Sequence, residues 1–344
     1  MEIIDSHPVS IIAVNLLFSK TLSRSRCCSE KIDTMKAITL NEFGPVDNLQ
    51  LTELPMPVLG SEEVLIKVSS ISINPVDVKS REGGGAAGGI KERPIILGWD
   101  VSGEVVETNS SRFKKGDEVF GMVNFPGHGK AYAEYVAAPA AHLALKPVNI
   151  GHDEAAAACL AALTALQNLT QHYHVKKDDR VLIHAGSGGV GHFAIQIAKH
   201  LGAYVIATSS AQNKKFVMSL GTDEHIDYQA VNFEDEVKDI DFVLNVLGRD
   251  ISQRSLSVLK PGGTLITISS GIGDELTEAA KKKNLKVLHT MVKSSGKDMQ
   301  KIAEMIKDGH LGSHVSELYA LEDMRKAHAS QASGRTVGKI VVKP

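Results

Sequence analysis

The segment Gly186-Ser187-Gly188-Gly189-Val190-Gly191 decides the fold of this chain. It directly follows the apolar run Val181-Leu182-Ile183, and it opens a segment with apolar residues at helical spacing, at positions 190, 193, 194, 197, 198 and 201. The glycines permit a tight turn, and the start of the helix offers N–H groups and a positive dipole end to phosphates. Gly202 would end this helix. The spacing predicts a dinucleotide-binding turn, with a glycine-rich turn that binds nothing as the alternative.

The next strand, Tyr204 to Thr208, ends where an NAD-binding protein usually carries a carboxylate, about twenty residues after the glycines. Here the segment from Thr208 to Lys215 has no carboxylate and instead offers hydroxyls, amides and the ammonium groups of Lys214 and Lys215. Such groups suit an additional phosphate, so the sequence favours NADPH over NADH. The alternative is that the two lysines only solvate the start of a helix.

Outward from this turn, strands and helices alternate from residue 155 onward, and alternation of this kind predicts a right-handed, doubly wound parallel sheet. Its strands are predicted at Val181, Tyr204, His225, Phe242, Leu265 and Val287. A helix over Lys297 to Lys307 and a final strand over Gly338 to Val342, which would rejoin the first domain, follow. The part from Met35 to residue 154 reads mainly as short β segments: Lys36 to Leu40, Glu63 to Ser70, Val101 to Glu107, Glu118 to Met122 and Ala133 to Ala137.

Composition limits the classes of partner. A chain of 344 residues with 43% hydrophobic residues can build two cores. The 38 basic and 40 acidic residues give a net charge of −2, which provides no field to hold nucleic acid or an anionic membrane. The three cysteines, Cys27, Cys28 and Cys159, fit neither a disulfide framework nor a zinc cage. We expect a small-molecule substrate and a reducing compartment, the cytoplasm.

Residues 1–34 differ from the rest of the chain. The apolar patch from Ile11 to Phe18 is too short to span a bilayer, and a serine-rich basic stretch follows it. Glu2 and Asp5 argue against a secretory or mitochondrial leader. We expect a disordered extension, or an effect of start-site choice, with the folded protein beginning near Met35.

Six motifs in order carry a family resemblance, and they are Asn74 to Lys79, Leu97 to Val105, Gly116 to Gly121, Ala133 to Tyr135, His184 to Gly191 and Lys260 to Gly263. With them the chain resembles the medium-chain dehydrogenase/reductase superfamily, and most of all its zinc-free quinone oxidoreductase branch, the zeta-crystallin-like proteins and alkenal/enone reductases. The resemblance implies an α/β protein with a GroES-like β-barrel domain (35–154, completed by 296–344) and a Rossmann doubly wound parallel-sheet domain (155–295), with the active site between them.

The zinc ligands of the superfamily's alcohol dehydrogenases are missing. Gly98-Trp99-Asp100 replaces their Gly-His-Glu motif, and Asn74 to Asp77 occupies the segment of the ligand cysteine. Without thiolate and imidazole ligands a tetrahedral zinc site is not assembled, so no metal is expected. His128, His142 and His152 are interpreted as solvated or capping residues in loops. An alcohol dehydrogenase, a third possible function, would require zinc.

Without a metal, the substrate must accept hydride readily, as a quinone or an α,β-unsaturated carbonyl does, and the charge that develops on its oxygen needs a hydrogen-bond donor. Lys79 matches the lysine of the alkenal and enone reductases and is the leading catalytic candidate, with an exposed helical lysine as the alternative. Asn74 would contact the nicotinamide or the carbonyl, or only hold the turn. Trp99 would form an apolar wall over the substrate, or only pack in the core.

The resemblance also implies cofactor contacts. Gly186, Ser187, Gly188, Gly189 and Val190 would lie against the pyrophosphate, and Ser209, Ser210 and Tyr228 near the 2'-phosphate. Asn213 stands where the family usually has a phosphate-binding lysine, so Lys214 would supply the charge. The positions that match the ribose and nicotinamide region are Thr164, Leu247, Ser269 and Ser270.

The sequence thus predicts an NADPH-dependent, zinc-independent reductase of quinones or enones. A binding protein that holds NADPH with little turnover is the alternative. The segment Leu285 to Val292 reads as the last strand of the parallel sheet, and the family often pairs this strand across a two-fold axis. A homodimer is therefore expected, with no nucleic acid and no membrane as partner.

Overall fold

The computed structural model describes residues 33–269 and 271–344, so almost all of the predicted extension 1–34 lies outside the described residues. The strands are β1 (Thr34–Leu40), β2 (Gln50–Pro55), β3 (Glu63–Ile73), β4 (Ile95–Ile96), β5 (Asp100–Thr108), β6 (Glu118–Met122), β7 (Tyr135–Pro139), β8 (Leu143–Leu145), β9 (Arg180–Ile183), β10 (Tyr204–Ser209), β11 (Glu224–Asp227), β12 (Ile240–Asn245), β13 (Leu259–Thr267), β14 (Lys286–His289), β15 (Val315–Ala320) and β16 (Lys339–Lys343). The α-helices are α1 (Pro75–Arg81), α2 (His152–Ala157), α3 (Cys159–Gln167), α4 (Gly189–His200), α5 (Lys214–Ser219), α6 (Phe233–Glu236), α7 (Arg249–Ser255), α8 (Asp274–Lys282), α9 (Gly296–Lys307) and α10 (Met324–Ala332).

A parallel sheet with the strand order β11-β10-β9-β12-β13-β14 occupies the second half of the chain. Alternate residues of β9 enter opposite apolar clusters, since Val181 and Ile183 share a cluster with Phe193 of α4, whereas Leu182 shares one with Leu276 of α8. Strands covered on both faces read as continuous apolar runs, which is why the sequence showed no alternation there. The predicted doubly wound parallel sheet is confirmed.

Antiparallel strands dominate the part before it. A mixed sheet runs β15-β16-β3-β5-β6-β8, with β7 also paired to β3, and a smaller sheet runs β2-β1-β4. Backbone hydrogen bonds from Ile38 to the Tyr132 carbonyl (2.8 Å) and from Glu134 to the Lys36 carbonyl (3.0 Å) attach β1 to the segment leading into β7. Together with the parallel sheet, this β structure confirms the predicted α/β fold class with a GroES-like part.

The last strand connects the two halves of the molecule. β16 lies between β15 and β3, and Ile340 pairs with Ile73 while Val342 pairs with Ile71. The chain thus returns from the parallel sheet to the first sheet and lays Lys339 beside the end of β3. The domain limits 35–154, 155–295 and 296–344 stay a prediction.

Candidate active site

A cleft of about 470 Å³ lies where α1, the start of α4, and the segments after β13, after β14 and before β16 meet. Its predicted site residues are Asn74, Lys79, Thr164, Gly188, Gly189, Val190 and Ser269. The walls are largely apolar and include Val76, Phe125, Leu160, Val246, Ile268 and Val292. No carboxylate lines the cleft within residues 33–269 and 271–344, whereas two lysines do, Lys79 and Lys339. The cleft therefore combines water-excluding walls with positive charge.

The glycine turn forms one wall of the cleft. A Cβ atom at Gly191 would lie 2.2 Å from the Ala185 carbonyl oxygen, and one at Gly186 would lie 2.9 Å from the Ala207 Cβ, so the turn closes only with glycine there. Gly188 is the N-cap of α4, a helix of twelve residues, and directs the first turn of that helix at the cleft. Bare backbone at the positive end of a helix is a cradle for phosphates, so these residues fit a dinucleotide.

The predicted 2'-phosphate residues gather at the ends of β10 and β11. The Asn213 side-chain amide donates to the Ser187 hydroxyl (3.1 Å), which joins the start of α5 to the glycine turn. Ser209 and Ser210 are buried, and the backbone N–H of Tyr228 donates to the Ser209 carbonyl (3.3 Å) while its ring is 60% exposed. Lys214 is exposed at the first position of α5. The structure thus brings this group together.

Sequence reasoning missed His225 in this group. Its Nε2 lies 2.8 Å from the Ser209 hydroxyl. Burial, and then the charge of Lys214, lower the pKa of His225. The sequence predicted a strand at His225 but not which strand lies beside it. The pairing of β11 with β10, which sets His225 opposite Ala207, brings His225 next to Ser209.

Residues near the ribose and nicotinamide region are only partly brought together. Thr164 is buried at the cleft, and its hydroxyl donates to the Leu160 carbonyl (2.7 Å). The Ser269 hydroxyl donates to the Leu247 carbonyl. Leu247 itself does not line the cleft, and its side chain is 39% exposed. Ser270 lies outside the described residues.

Helix α1 presents Lys79 to the cleft. The carboxylate of Asp77 accepts a hydrogen bond from the Asn74 backbone N–H (2.6 Å), which fixes the start of α1 directly before Pro75. Lys79, one turn on, is exposed and makes no ion pair in the part of the chain that the structure describes. Its ammonium is therefore available to a molecule in the cleft.

Asn74 is held by the protein on both ends of its amide. Its Nδ2 donates to Asp100 Oδ2 (2.8 Å), and its Oδ1 accepts from Lys339 Nζ (2.5 Å). Burial raises the pKa of Asp77 to about 7 and that of Asp100 to about 6, and it lowers the pKa of Lys339. Sequence reasoning expected Asp77 to shape this loop together with Asn74, and it quoted Asp100 within a motif without a role. It gave Lys339 no role, because only the return of β16 places that lysine here.

Trp99 requires a correction. The indole is fully buried, its Nε1 donates to the Gly127 carbonyl (2.7 Å), and its ring meets Phe125 edge-on with centroids 5.3 Å apart. It does not line the cleft, whereas Phe125 does. The structure therefore places Trp99 in the core, which is the alternative that the sequence left open, and Phe125 rather than Trp99 stands at the cleft.

The histidines considered as metal ligands bond to the protein. His128 Nε2 lies 2.9 Å from the Ile96 carbonyl, His142 Nδ1 accepts from the Asn124 N–H (3.2 Å), and His152 Nδ1 lies 2.8 Å from the Ser102 hydroxyl. Over the described ranges, no three His, Cys, Asp or Glu side chains lie close enough to hold one metal ion. Over those same residues, no helix has the length and apolar character to cross a membrane.

Comparison with known proteins gives matches over most of the chain. Residues 60–148 match the alcohol dehydrogenase GroES-like domain, and residues 220–342 match the zinc-binding dehydrogenase domain. The chloroplast envelope quinone oxidoreductase homolog of Arabidopsis thaliana is 33% identical, over 90% of this chain and 98% of that protein. The chloroplastic NADPH-dependent alkenal/one oxidoreductase of the same plant is 33% identical, over 90% of this chain and 80% of that protein. The quinone oxidoreductase structure from Coxiella burnetii superimposes with a TM-score of 0.85 at 35% identity and covers 91% of this chain and 100% of that chain.

Proposed function

The chain belongs to the zinc-free quinone oxidoreductase branch of the medium-chain dehydrogenase/reductase superfamily and is an NAD(P)H oxidoreductase; from that premise we propose that it uses NADPH to reduce conjugated carbonyl compounds, quinones or enones. The observation that carries the proposal is the cleft itself. It brings Lys79, which makes no ion pair with the residues that the structure describes, together with apolar walls and the glycine turn in one cleft.

The bound nicotinamide cofactor would supply the hydride. The protein must then bind the acceptor, exclude water and stabilise the negative charge that develops on the carbonyl oxygen. The Lys79 ammonium can donate a hydrogen bond to that oxygen and afterwards release a proton to it. The apolar walls strengthen this interaction because they lower the local dielectric constant. The bonds that occupy the amide of Asn74 support a role in shaping the loop.

The preference for NADPH rests on the groups at the ends of β10 and β11. Ser209, Ser210 and Tyr228 lie at the ends of β10 and β11, the edge of the sheet where dinucleotide folds bind the ribose, and the positive charge of Lys214 reaches the neighbouring His225. A carboxylate would repel a 2'-phosphate. The segment Thr208 to Lys215 has none, while the end of β11 carries Asp227, which pairs with Ser209. The name of the NADPH-dependent Arabidopsis relative supports the same preference.

The testing experiment follows consumption of NADPH and NADH by the purified protein with a quinone, a short alkenal and a saturated aldehyde. We expect turnover of the two conjugated acceptors only, with NADPH preferred. Tight NADPH binding without turnover of any acceptor would overturn the proposal in favour of a cofactor-binding protein. Reduction of the saturated aldehyde that requires zinc would instead indicate an alcohol dehydrogenase.

A homodimer formed along β14 belongs to the same proposal, as does a small molecule rather than nucleic acid or a membrane as partner. The cytoplasm stays the predicted location, although the two Arabidopsis relatives carry chloroplast names. Fractionation of cells that express the full chain checks this point.

A further inference from the structure

Lys339 is a buried cation at the floor of the cleft. Its side chain is almost fully buried, and its Nζ donates to the Ile73 carbonyl (2.8 Å) and to Asn74 Oδ1 (2.5 Å). Both acceptors lie at the end of β3, directly before α1. The ammonium therefore fixes the base of the loop that carries Lys79.

The same short segment also contacts the glycine turn. The backbone N–H of Gly338 donates to the Ser187 carbonyl (2.8 Å), and a Cβ atom at Gly189 would lie 3.3 Å from Lys339 Cδ. Gly338 has a φ of +66°, and a Cβ atom there would lie 2.2 Å from the His314 carbonyl oxygen, so only glycine allows this approach. Gly338 and Lys339 thus contact the predicted phosphate-binding turn on one side. On the other side Lys339 contacts the residues that lead into α1, the helix that carries Lys79.

Burial is the largest influence on the pKa of Lys339 and lowers it, and the nearby carboxylates of Asp100 and Asp77 partly offset this effect. Asp100 accepts hydrogen bonds from Asn74 Nδ2 and from the Leu160 N–H at the start of α3 (2.8 Å), and Asp77 caps α1. Burial of an ammonium costs free energy, and an apolar residue of similar volume often stabilises a fold equally well. An ion cluster at the meeting point of two binding loops instead fixes their relative position.

We propose that Lys339 is a positioning residue that couples the two loops, so that a dinucleotide on the glycine turn orders the segment from Asn74 to Arg81 before the acceptor binds. This inference rests on the proposed NADPH site. It does not require the nicotinamide ring, because the contacts run through Ser187, Gly338 and Lys339. Phosphate groups on the turn should therefore suffice.

The test measures hydrogen–deuterium exchange of the backbone in residues 74–81, with and without ligand. The ligands are NADPH and 2'-phospho-ADP-ribose, which is the same molecule without its nicotinamide. For the parent protein we expect both ligands to slow exchange by about fivefold or more, the lower end of typical coupling between sites. The variant Lys339→Met with Asp100→Asn removes one charge of each sign, which leaves the net charge of the buried cluster unchanged. It should bind both ligands, yet show less than about twofold slowing.

Lys343→Met is the matched control, since Lys343 lies on the same strand, half-exposed, and pairs with Asp153 (2.9 Å) away from the cleft. It should respond like the parent. The inference is overturned if NADPH slows exchange in the parent but the nicotinamide-free ligand does not, because direct contact with the ring then explains the effect. It is also overturned if the double variant keeps the response. These two results leave the proposed reductase function intact, whereas a parent protein that binds neither ligand overturns both proposals.

Discussion

A single cation decides what the cleft can stabilise. Lys79 is exposed, lines the cleft and makes no ion pair in the described chain. The ammonium of Lys339, by contrast, donates its hydrogen bonds to Ile73 and Asn74 within the protein. The two lysines therefore have different tasks although both reach the same space. Of these two lysines, only Lys79 is placed to stabilise negative charge on the oxygen of a bound acceptor.

Replacement of Lys79 should affect the chemical step. We expect Lys79→Met to lower kcat/KM for a conjugated acceptor by about a hundredfold, the usual effect of removing a donor aimed at developing negative charge. Affinity for NADPH should change far less. Steady-state kinetics and a fluorescence titration with NADPH measure the two effects. Lys115→Met, which removes an exposed lysine in the turn before β6, is the control. Equal kinetics for both variants would remove Lys79 from the mechanism.

His184 carries a pH effect on stability. Ser255 donates its hydroxyl proton to the Ile251 carbonyl (2.6 Å), so it accepts a hydrogen bond from His184 Nε2 (3.0 Å). Burial, the largest cause, lowers the pKa of His184 to about 3. The unfolded chain takes up a proton near pH 6.5 that the folded ring refuses, so the free energy of unfolding falls as pH falls below about 6.5.

We therefore expect the parent protein to lose about 2 kcal/mol relative to His184→Gln between about pH 7.5 and about pH 5. Urea unfolding of both proteins at the two pH values measures the difference. The raised pKa values of Asp77 and Asp100 act in the opposite direction, but they are common to both proteins and cancel. A difference that does not change with pH would mean that the ring takes up its proton over the same pH range in the folded and unfolded protein.

Among elements, those with a simple sequence signal were the easiest to predict. Strand β6 has the predicted bounds, and α9 begins one residue before its predicted start. Helix α4 lies over the segment whose apolar spacing predicted a helix. Strand β7 begins two residues later than predicted, since Ala133 forms only an isolated bridge with Ala37. Helix α3 was not predicted as an element, because all its residues are buried and a helix without a polar face shows no helical periodicity.

The site divides in the same way. The glycine turn and the segment Asn74 to Lys79 are each contiguous in sequence. The strand before and the helix after made the turn predictable, whereas the family resemblance identified the segment Asn74 to Lys79. The roles of Lys339, His225 and Phe125 depend on partners far away in the chain, such as Asn74, Ser209 and Trp99. No local pattern encodes such pairs.

The junction of β10 and α5 should set the choice of cofactor. The charge of Lys214 lowers the pKa of His225, which lies beside Ser209. Lys215 is not among the charges that shift this pKa. Hydrogen bonds to charged groups contribute about 1.5–3 kcal/mol, so we expect Lys214→Ala to raise KM for NADPH about tenfold or more and to leave KM for NADH nearly unchanged. Lys215→Ala is the matched control. A loss shared equally between the two cofactors would argue against a 2'-phosphate contact.

At the scale of the whole molecule, the parallel sheet has two edge strands, β11 and β14, each paired on one side only. The edge strand β11 carries Glu224, His225 and Asp227, and charged edges discourage pairing. The opposite edge, β14, exposes Leu288 (40%), and Met291 follows it (52% exposed). β14 also carries the exposed Lys286 and His289. The exposed Leu288 and Met291 favour contact with a second copy, and two antiparallel copies of β14 would form a closed two-fold interface.

We therefore expect light scattering to give the mass of a dimer, and Leu288→Lys to shift it toward the monomer at micromolar concentration. A lysine there would face its symmetry mate or lose its hydration on pairing, and either costs free energy. Leu318→Lys is the control, because Leu318 is comparably exposed (56%) on β15, the edge strand of the other sheet. Dissociation by Leu318→Lys alone would move the interface to β15. A monomeric parent protein would show that β14 stays unpaired in solution despite its exposed leucine.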